Sequence, residues 1–386
     1  MMSEQKTLNR REFLQVAGTA VTASLLPATA WASSSGVSTV PRSRLNRLAK
    51  GANVCRWFRG GPRSNKEQLS NYITEDEAVM MRKMGLSHVR LCLQPRVVMD
   101  QSTGAILADT AAFVDEAIKR FHRAGLLVLV DLHNEDRPSE LNLEWQSAFV
   151  KFWSHLAARL NQFDPELTLF EIINEPVFKD RETEWNGFNR RLAEAIRKSA
   201  PNHTIMTSGP NWGGIDGLRK LELLEDTNVV YSFHCYDPFA FTHQGATWAG
   251  PDVKPLRAVP YPSSPEDVAP LLTSLEQFPG SKKMLEKYGE QRWNKAKLAA
   301  RFKEGVEWGL KNKVPLYCGE FGVYPVYAKA EHRANWFRDF GQVLAENQIG
   351  WAVWGWDEGF GLNRKYVDGV PVVDRTVAAS LGLKLD

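Results

Sequence analysis

The sequence predicts a (β/α)8 TIM barrel with a long loop insertion after strand six. Three observations predict it: eight apolar runs typical of strands, helical patterns between them, and glutamates directly behind two of the runs. A parallel strand covered on both faces is apolar throughout, so the first polar residue after such a run marks the strand's exit from the core. No glycine-rich phosphate loop follows any run, which favours a barrel over a doubly wound nucleotide-binding sheet.

The chain supplies the strands of this barrel at regular intervals. They are predicted at residues 51–55, 88–93, 126–132, 167–173, 203–208, 228–236, 314–320 and 349–356. Helical patterns such as TEDEAVMMRKMG and EHRANWFRDFGQVLAEN lie between them. Thr74 and Glu77 form a capping-box pattern, and Gly85 and Gly125 occupy C-cap positions. Residues 237–294 interrupt the alternation of strands and helices and contain many Pro, Gly and aromatic residues. A loop of that length is usually functional. We expect it to form one wall of a cleft.

The first residues predict a targeting segment that is separate from the fold. The string RREFLQ, which contains Arg10 and Arg11, precedes a weakly apolar run and then the small-x-small pattern AWA at residues 30–32. This order resembles a twin-arginine export signal and predicts a signal peptide over residues 1–32, read by the twin-arginine export machinery. A polar lead-in over residues 33–46 and the barrel over residues 47–386 follow. The apolar run is too short for stable membrane insertion, so a periplasmic or secreted protein is expected.

Composition excludes several classes of protein. The 386 residues are 43% hydrophobic and 24% charged, which is typical of a soluble globular protein. A net charge of +3 is too small to indicate nucleic acid or a membrane surface as a partner. Four cysteines show no metal-binding spacing and are typical of buried apolar groups. Pairing of Cys55 with Cys92, or of Cys235 with Cys318, is the alternative to free thiols.

Polar residues at the C-terminal ends of the predicted strands form the candidate site, because active sites of these barrels gather there. Two of them, Glu175 in INEP and Glu320 in GEFG, provide the pair of carboxylates that glycoside hydrolysis needs. The complete set is Arg90, His133, Asn174, Glu175, His234, Tyr236, Glu320 and Trp354.

This ordered set resembles glycoside hydrolase family 5 and the clan of retaining glycosidases to which it belongs. The motifs are HVRL, DLHN, INEP, FHCY, GEFG and AVWGW, and the resemblance covers roughly residues 45–385. It implies that Glu175 is the acid/base, that Glu320 is the nucleophile, and that the other six residues bind substrate without cofactor or metal. The chain departs from many members at residues 134–138, NEDRP, where they carry glycine. Whether Asp136 or Arg137 touches sugar stays open.

Physical chemistry supports these roles independently. Glu175 must keep a proton near neutral pH, so burial and nearby negative charge should raise its pKa. Glu320 must stay ionised to attack, and Arg90 and Tyr236 are the obvious donors to it. Asn174 is placed to hydrogen-bond the sugar 2-hydroxyl. The two histidines would bind hydroxyls or orient the carboxylates, and the tryptophan of strand eight would stack under the sugar.

The predicted function is that of an exported, retaining endo-β-1,4-glucanase acting on β-glucan polysaccharides or oligosaccharides. β-Mannanase, xyloglucanase and exo-β-1,3-glucanase activities remain alternatives, because loops choose the polymer. A non-catalytic carbohydrate-binding barrel is a rival class, as is a metal-dependent hydrolase that uses His133 and His234 with a carboxylate. Several tryptophans have either a core role or a sugar-binding role: Trp57, Trp212, Trp248, Trp354 and Trp356.

Overall fold

The computed structural model describes residues 38–59 and 66–385. The predicted signal peptide, residues 1–32, and the beginning of the polar lead-in, residues 33–37, lie outside the described residues. Among the described helices, none is both long enough and apolar enough to cross a membrane.

Eight parallel strands close into a barrel in chain order, with β8 pairing back onto β1, which confirms the predicted fold. Nearly all their side chains are buried, as expected for strands covered on both faces. A short antiparallel hairpin of β9 and β10 follows β8. The strands are β1 Lys50–Phe58, β2 His88–Leu93, β3 Leu127–Leu132, β4 Thr168–Glu171, β5 Ile205–Ser208, β6 Val229–His234, β7 Leu316–Glu320, β8 Gly350–Val353, β9 Lys365–Val367 and β10 Val370–Val372.

Helices surround the barrel, and several begin at the caps that the sequence predicts. The Thr74 side chain accepts from the backbone N–H of Glu77 at 3.2 Å, and Gly85 and Gly125 adopt φ of +98° and +78° behind helices. The described helices are α1 Arg42–Arg47, α2 Lys66–Asn71, α3 Glu75–Lys83, α4 Pro95–Val98, α5 Ala108–Arg123, α6 Leu143–Leu160, α7 Glu182–Ser199, α8 Ile215–Leu218, α9 Phe239–Thr242, α10 Pro265–Leu272, α11 Pro279–Glu290, α12 Lys295–Asn312, α13 Ala330–Glu346 and α14 Arg375–Ser380.

The N-terminal end of the barrel is sealed by apolar side chains. Leu127, Leu129 and Tyr317 belong to one buried cluster there, and the Tyr317 hydroxyl lies 2.7 Å from the His88 imidazole. The segment predicted as a polar lead-in is folded from residue 38 onward. Its helix α1 buries Arg44, whose guanidinium donates to the Glu166 carboxylate at 2.8 Å and so ties the segment to the barrel. The site therefore lies at the opposite, C-terminal end.

The insertion after β6 is more regular than the predicted loop. It contains α9, α10 and α11, and its aromatic side chains Phe241 and Tyr261 are fully buried against each other with ring centroids 5.4 Å apart. The Tyr261 hydroxyl donates to Asp339 on α13 at 2.9 Å. At its beginning, the Thr242 hydroxyl donates to the backbone carbonyl of Tyr236 at 2.6 Å. The insertion thus supports the β6 side of the cleft.

The structure separates core tryptophans from surface tryptophans. Trp57 is buried and donates from Nε1 to the carbonyl of Leu69 at 2.8 Å, so a sugar-binding role for it is wrong. Trp356 is also in the core. By contrast, Trp212 and Trp248 are 53% and 63% exposed. The four cysteines are buried with free thiols, so neither of the two alternative pairings forms.

Candidate active site

Arg90 lies at the centre of the polar layer at the C-terminal end of the barrel, and each of its N–H groups has an acceptor. The side chain is fully buried on β2. Nε and Nη2 donate to the two carboxylate oxygens of Glu171 at 2.6 and 2.9 Å. Three further N–H groups donate to the side-chain oxygens of Asn53, Glu320 and Asn174 at 2.9, 2.9 and 2.8 Å. Because all its donors are used, the guanidinium is fixed and also fixes the groups that it binds.

Glu320 is the last residue of β7 and points into this layer. Its side chain is only 5% exposed. Oε1 accepts from Arg90 at 2.9 Å, and Oε2 accepts from the hydroxyl of Tyr236 at 2.9 Å. These are the two donors expected from the sequence. Burial and the neighbouring Glu320 carboxylate raise the pKa of Tyr236 well above its ordinary value, so the phenol keeps its proton and donates it to this hydrogen bond.

Glu175 lies beyond the end of β4, in a different backbone environment. Its φ of +45° is in the left-handed region, which residues other than glycine rarely adopt. The side chain is 18% exposed. Oε1 lies 2.9 Å from Nδ1 of His234, and Oε2 lies 3.4 Å from Nη2 of Arg137. The second carboxyl group is therefore held at the edge of the cleft rather than within the barrel.

The two glutamates face each other closely. Carboxylate oxygens of Glu175 and Glu320 approach within 4.8 Å. Retaining glycosidases place their carboxyl groups about 5–5.5 Å apart, whereas inverting enzymes need about 6.5–9.5 Å. Burial raises the pKa of both groups, and the charge of Glu175 raises that of Glu320 further, so the pair titrates together. Because Arg90 and Tyr236 both donate to Glu320, the shared proton belongs on Glu175.

His234 and Asn174 lie beside this pair. Nδ1 of His234 is 2.9 Å from Glu175 Oε1 and 3.6 Å from Glu320 Oε2. Burial lowers the pKa of His234, so its ring is a neutral partner of the carboxylates. Since Oδ1 of Asn174 accepts from Arg90, the amide nitrogen of Asn174 is the group left to donate to a sugar hydroxyl.

His133 and Trp354 form the opposite side of the cleft. Nδ1 of His133 lies 2.8 Å from Asp131, and its ring stacks on Trp354 with centroids 5.4 Å apart. The guanidinium of Arg59 lies 5.3 Å from the centroid of the same indole. Burial lowers the pKa of His133, which is therefore neutral. Trp354 stays half-buried, so part of the indole is open to a ligand.

The eight side chains predicted from strand ends thus lie at one end of the barrel, joined by the contacts given above. The proposed metal site of His133 and His234 around one carboxylate does not form among the described residues. The two histidines belong to separate groups of potential ligands. Arg90 lies 3.1 Å from Asp131 in the first group and 2.9 Å from Glu320 in the second, and a guanidinium that close opposes a cation.

The sequence reasoning missed three side chains of this layer and left the role of a fourth, Arg137, open. Glu171, Asp131 and Asn53 hold Arg90 from inside the barrel, and Arg137 contacts Glu175 from the β3 loop. A signal for the first three exists, because each is a polar residue within an otherwise apolar run: LTLFEII, LVLVDL and GANVC. Arg137 begins a 3₁₀ segment behind β3, and its signal is the departure from the family pattern at NEDRP.

A (β/α)8 barrel with two facing glutamates at the ends of strands four and seven defines a glycoside hydrolase. The family model described as cellulase, glycosyl hydrolase family 5, matches residues 49–359. The chain belongs to this family, as the resemblance of its motifs predicted.

Relatives and solved structures agree with this membership. Endoglucanase C of Acetivibrio thermocellus is 30% identical over 316 residues, which span 79% of this chain and 90% of that protein. Cellodextrinase A of Ruminococcus flavefaciens is 27% identical over 339 residues, spanning 85% and 89% of the two chains. The structure of Thermotoga maritima Cel5A in complex with cellobiose superposes with a TM-score of 0.72 at 25% identity and covers 88% of this chain and 98% of that chain.

Proposed function

We propose that this protein is a retaining endo-β-1,4-glucanase that hydrolyses β-glucans by double displacement. The observation that supports it most directly is the approach of Glu175 and Glu320 to within 4.8 Å, with two donors on Glu320. The three relatives and structures named above are called endoglucanase, cellodextrinase and a cellobiose complex, and β-1,4-linked glucans are therefore the substrates to test first.

In the first step, Glu320 attacks the anomeric carbon and the glycosidic C–O bond breaks. Glu175 gives its proton to the departing oxygen, so the leaving group is a neutral sugar hydroxyl. Arg90 and Tyr236 hold Glu320 by one oxygen each. As an ester forms at one of these oxygens, its negative charge is lost and the corresponding hydrogen bond weakens. Donation by Asn174 to the sugar 2-hydroxyl stabilises the oxocarbenium-like transition state.

In the second step, Glu175 is ionised and acts as a base. A water molecule gives its proton to Glu175 while its oxygen attacks the anomeric carbon, and the bond from that carbon to Glu320 breaks. Two inversions leave the product in the original β-configuration. Neutral His234 can hydrogen-bond to Glu175 in both protonation states, because an Nδ1–H 2.9 Å from Oε1 can donate to that oxygen whether or not Oε2 carries the proton.

The proposal includes export through the twin-arginine machinery to the periplasm or beyond. The order of the RREFLQ string, an apolar run and the AWA pattern supports it. Replacing Arg10 and Arg11 by lysine should keep the full-length protein in the cytoplasm, whereas the unaltered protein should appear in the periplasm with a new N-terminus at Ser33. Normal export of the double-lysine variant would contradict this part of the proposal.

The activity is tested by following cellohexaose hydrolysis with proton NMR. New reducing ends should appear first as the β-anomer, before mutarotation, and a Glu320→Ala variant should produce none. If the α-anomer appears first, the reaction inverts and the double displacement is wrong. If cellohexaose is not cleaved, mannan, xyloglucan and β-1,3-glucan are the next substrates, since the same carboxylate pair would serve them.

A further inference from the structure

Arg137 contacts both the main chain and the side chain of Glu175. It begins the short 3₁₀ segment Arg137–Leu141 behind β3. Its Nη1 donates to the carbonyls of Asn174 and Glu175 at 2.7 and 3.0 Å, and its Nη2 lies 3.4 Å from the Glu175 carboxylate. The side chain is 18% exposed. One guanidinium therefore contacts the proposed proton donor at its peptide unit and at its reacting end.

The backbone held in this way is an unusual one. Glu175 adopts φ of +45°, a left-handed conformation that is unfavourable for a residue with a side chain. Hydrogen bonds from Arg137 to two successive carbonyls stabilise the turn that carries Glu175 out of β4. Without them, the carboxyl group would lose the fixed direction that proton transfer requires.

Arg137 is itself fixed from two sides. The fully buried carboxylate of Glu140 lies 3.5 Å from its Nη1, and the same carboxylate accepts from Asn134 and from the backbone N–H of Val177, each at 3.1 Å. On another side, the guanidinium lies 5.2 Å from the ring centroid of Trp212. These contacts join the β3, β4 and β5 loops around a single positive charge.

We propose that Arg137 is a positioning residue for the proton donor, which holds Glu175 in its left-handed conformation and sets how readily it gives up its proton. The inference rests on the proposed glycosidase function. It assigns a role to a residue that is not among the eight predicted from strand ends. The NEDRP segment left open whether Arg137 touches sugar. In this proposal Arg137 acts on Glu175 and not through contact with sugar.

Arg137 is one of several charged or titratable groups that surround Glu175. The titratable and charged groups that face Glu175 from the neighbouring elements are Arg90, Asp131, Arg137, His234, Tyr236 and Glu320. Burial raises the pKa of Glu175, and Arg137 opposes that rise more than any other charge around it. Loss of the guanidinium should therefore raise the pKa further and move the alkaline limb of kcat/KM to higher pH.

The test compares Arg137→Gln and Arg137→Lys with wild type on two substrates. Cellotetraose needs a proton on its leaving group, whereas 2,4-dinitrophenyl β-cellobioside does not. For Arg137→Gln we expect kcat/KM to fall about 10–100-fold on cellotetraose and less than about 3-fold on the dinitrophenyl substrate, with the alkaline limb at higher pH. Arg137→Lys should keep the limb near its wild-type position but retain part of the selective loss, since an ammonium lacks the fork of donors. Arg191→Gln is the matched control, because Arg191 also lies over an aromatic ring, that of Phe188, away from Glu175.

Equal losses on both substrates with an unmoved alkaline limb would overturn the proposal and leave Arg137 with a purely structural role. If Arg137→Gln does not fold, Arg137→Lys alone decides the question, through a loss that is either selective for cellotetraose or equal on both substrates. A wild-type enzyme that cleaves neither substrate would instead refute the proposed function, and this inference with it. That outcome is distinguishable, because it is seen before any variant is measured.

Discussion

The two glutamates of the site are held in contrasting ways. Glu320 ends a barrel strand, is 5% exposed and accepts from two donors at 2.9 Å. Glu175 lies on a strained turn beyond its strand, is 18% exposed and is held by a histidine and a more distant arginine. The difference matches their proposed tasks. A nucleophile needs a stabilised charge in one position, whereas an acid that later becomes a base needs a pKa that can change during the reaction.

This comparison predicts the largest effect for Glu320→Ala. Removal of the nucleophile should lower kcat on the order of 10⁵-fold for any leaving group, because no covalent intermediate can form. Azide should then occupy the vacated space and attack directly, giving an α-glycosyl azide from a dinitrophenyl β-cellobioside. Product stereochemistry by NMR checks this prediction. A β-glycosyl azide would mean that Glu320 is not the nucleophile.

Glu175→Ala should have a smaller effect, and one that depends on the substrate. We expect kcat/KM to fall about 10²–10⁴-fold on cellotetraose and little on a dinitrophenyl substrate, whose leaving group needs no proton. Azide should here give the β-glycosyl azide, since it attacks the intermediate formed on Glu320. Equal losses on the two substrates would contradict the assignment of Glu175 as the acid.

Tyr236→Phe tests one of the two donors on Glu320. The variant removes one of the two donors that keep Glu320 ionised and directed at the anomeric carbon. A hydrogen bond to a charged group contributes about 1.5–3 kcal/mol, so we expect kcat/KM to fall roughly 10–100-fold on both substrates. The loss should not depend on the leaving group, in contrast to changes on the Glu175 side. Tyr327→Phe is a suitable control, because Tyr327 is 41% exposed and stacks with Arg257 outside the site. A loss confined to cellotetraose would contradict the assignment.

The contrast between the two glutamates also explains what the sequence could predict. Arg90, Glu320 and Trp354 lie in or directly after apolar runs, so strand periodicity places them at one end of a barrel. Once the barrel is predicted, the fold determines which of those strands lie next to each other. Arg137 and the left-handed turn at Glu175 depend on how loops from three strands meet, and local patterns do not encode such long-range contacts. For a related reason, the sequence does not distinguish a core role from a sugar-binding role for Trp57, since a tryptophan at a strand end faces either the cleft or the helices.

Glu140 affects stability instead of catalysis, and its effect is confined to the Glu175 side. Burial raises its pKa from 4.5 to about 7, so between these pH values the folded protein holds a proton that the unfolded chain has released. Stability contributed by this group is therefore complete below pH 4.5 and is lost as the pH rises to 7. Gln cannot titrate, so the free energy of unfolding of Glu140→Gln relative to wild type should increase by up to about 3 kcal/mol across that range.

Urea unfolding of both proteins at several pH values measures this difference, in which the other buried carboxyl groups largely cancel. Glu144→Gln, the same substitution at an exposed position on α6, is the matched control. A difference between Glu140→Gln and wild type that stays constant with pH would mean that Glu140 is already ionised at pH 4.5. In that case the negative charge beneath Arg137 would be permanent. The proton donor would then be tuned by a fixed ion pair on one side of the cleft, much as the nucleophile is by Arg90 on the other.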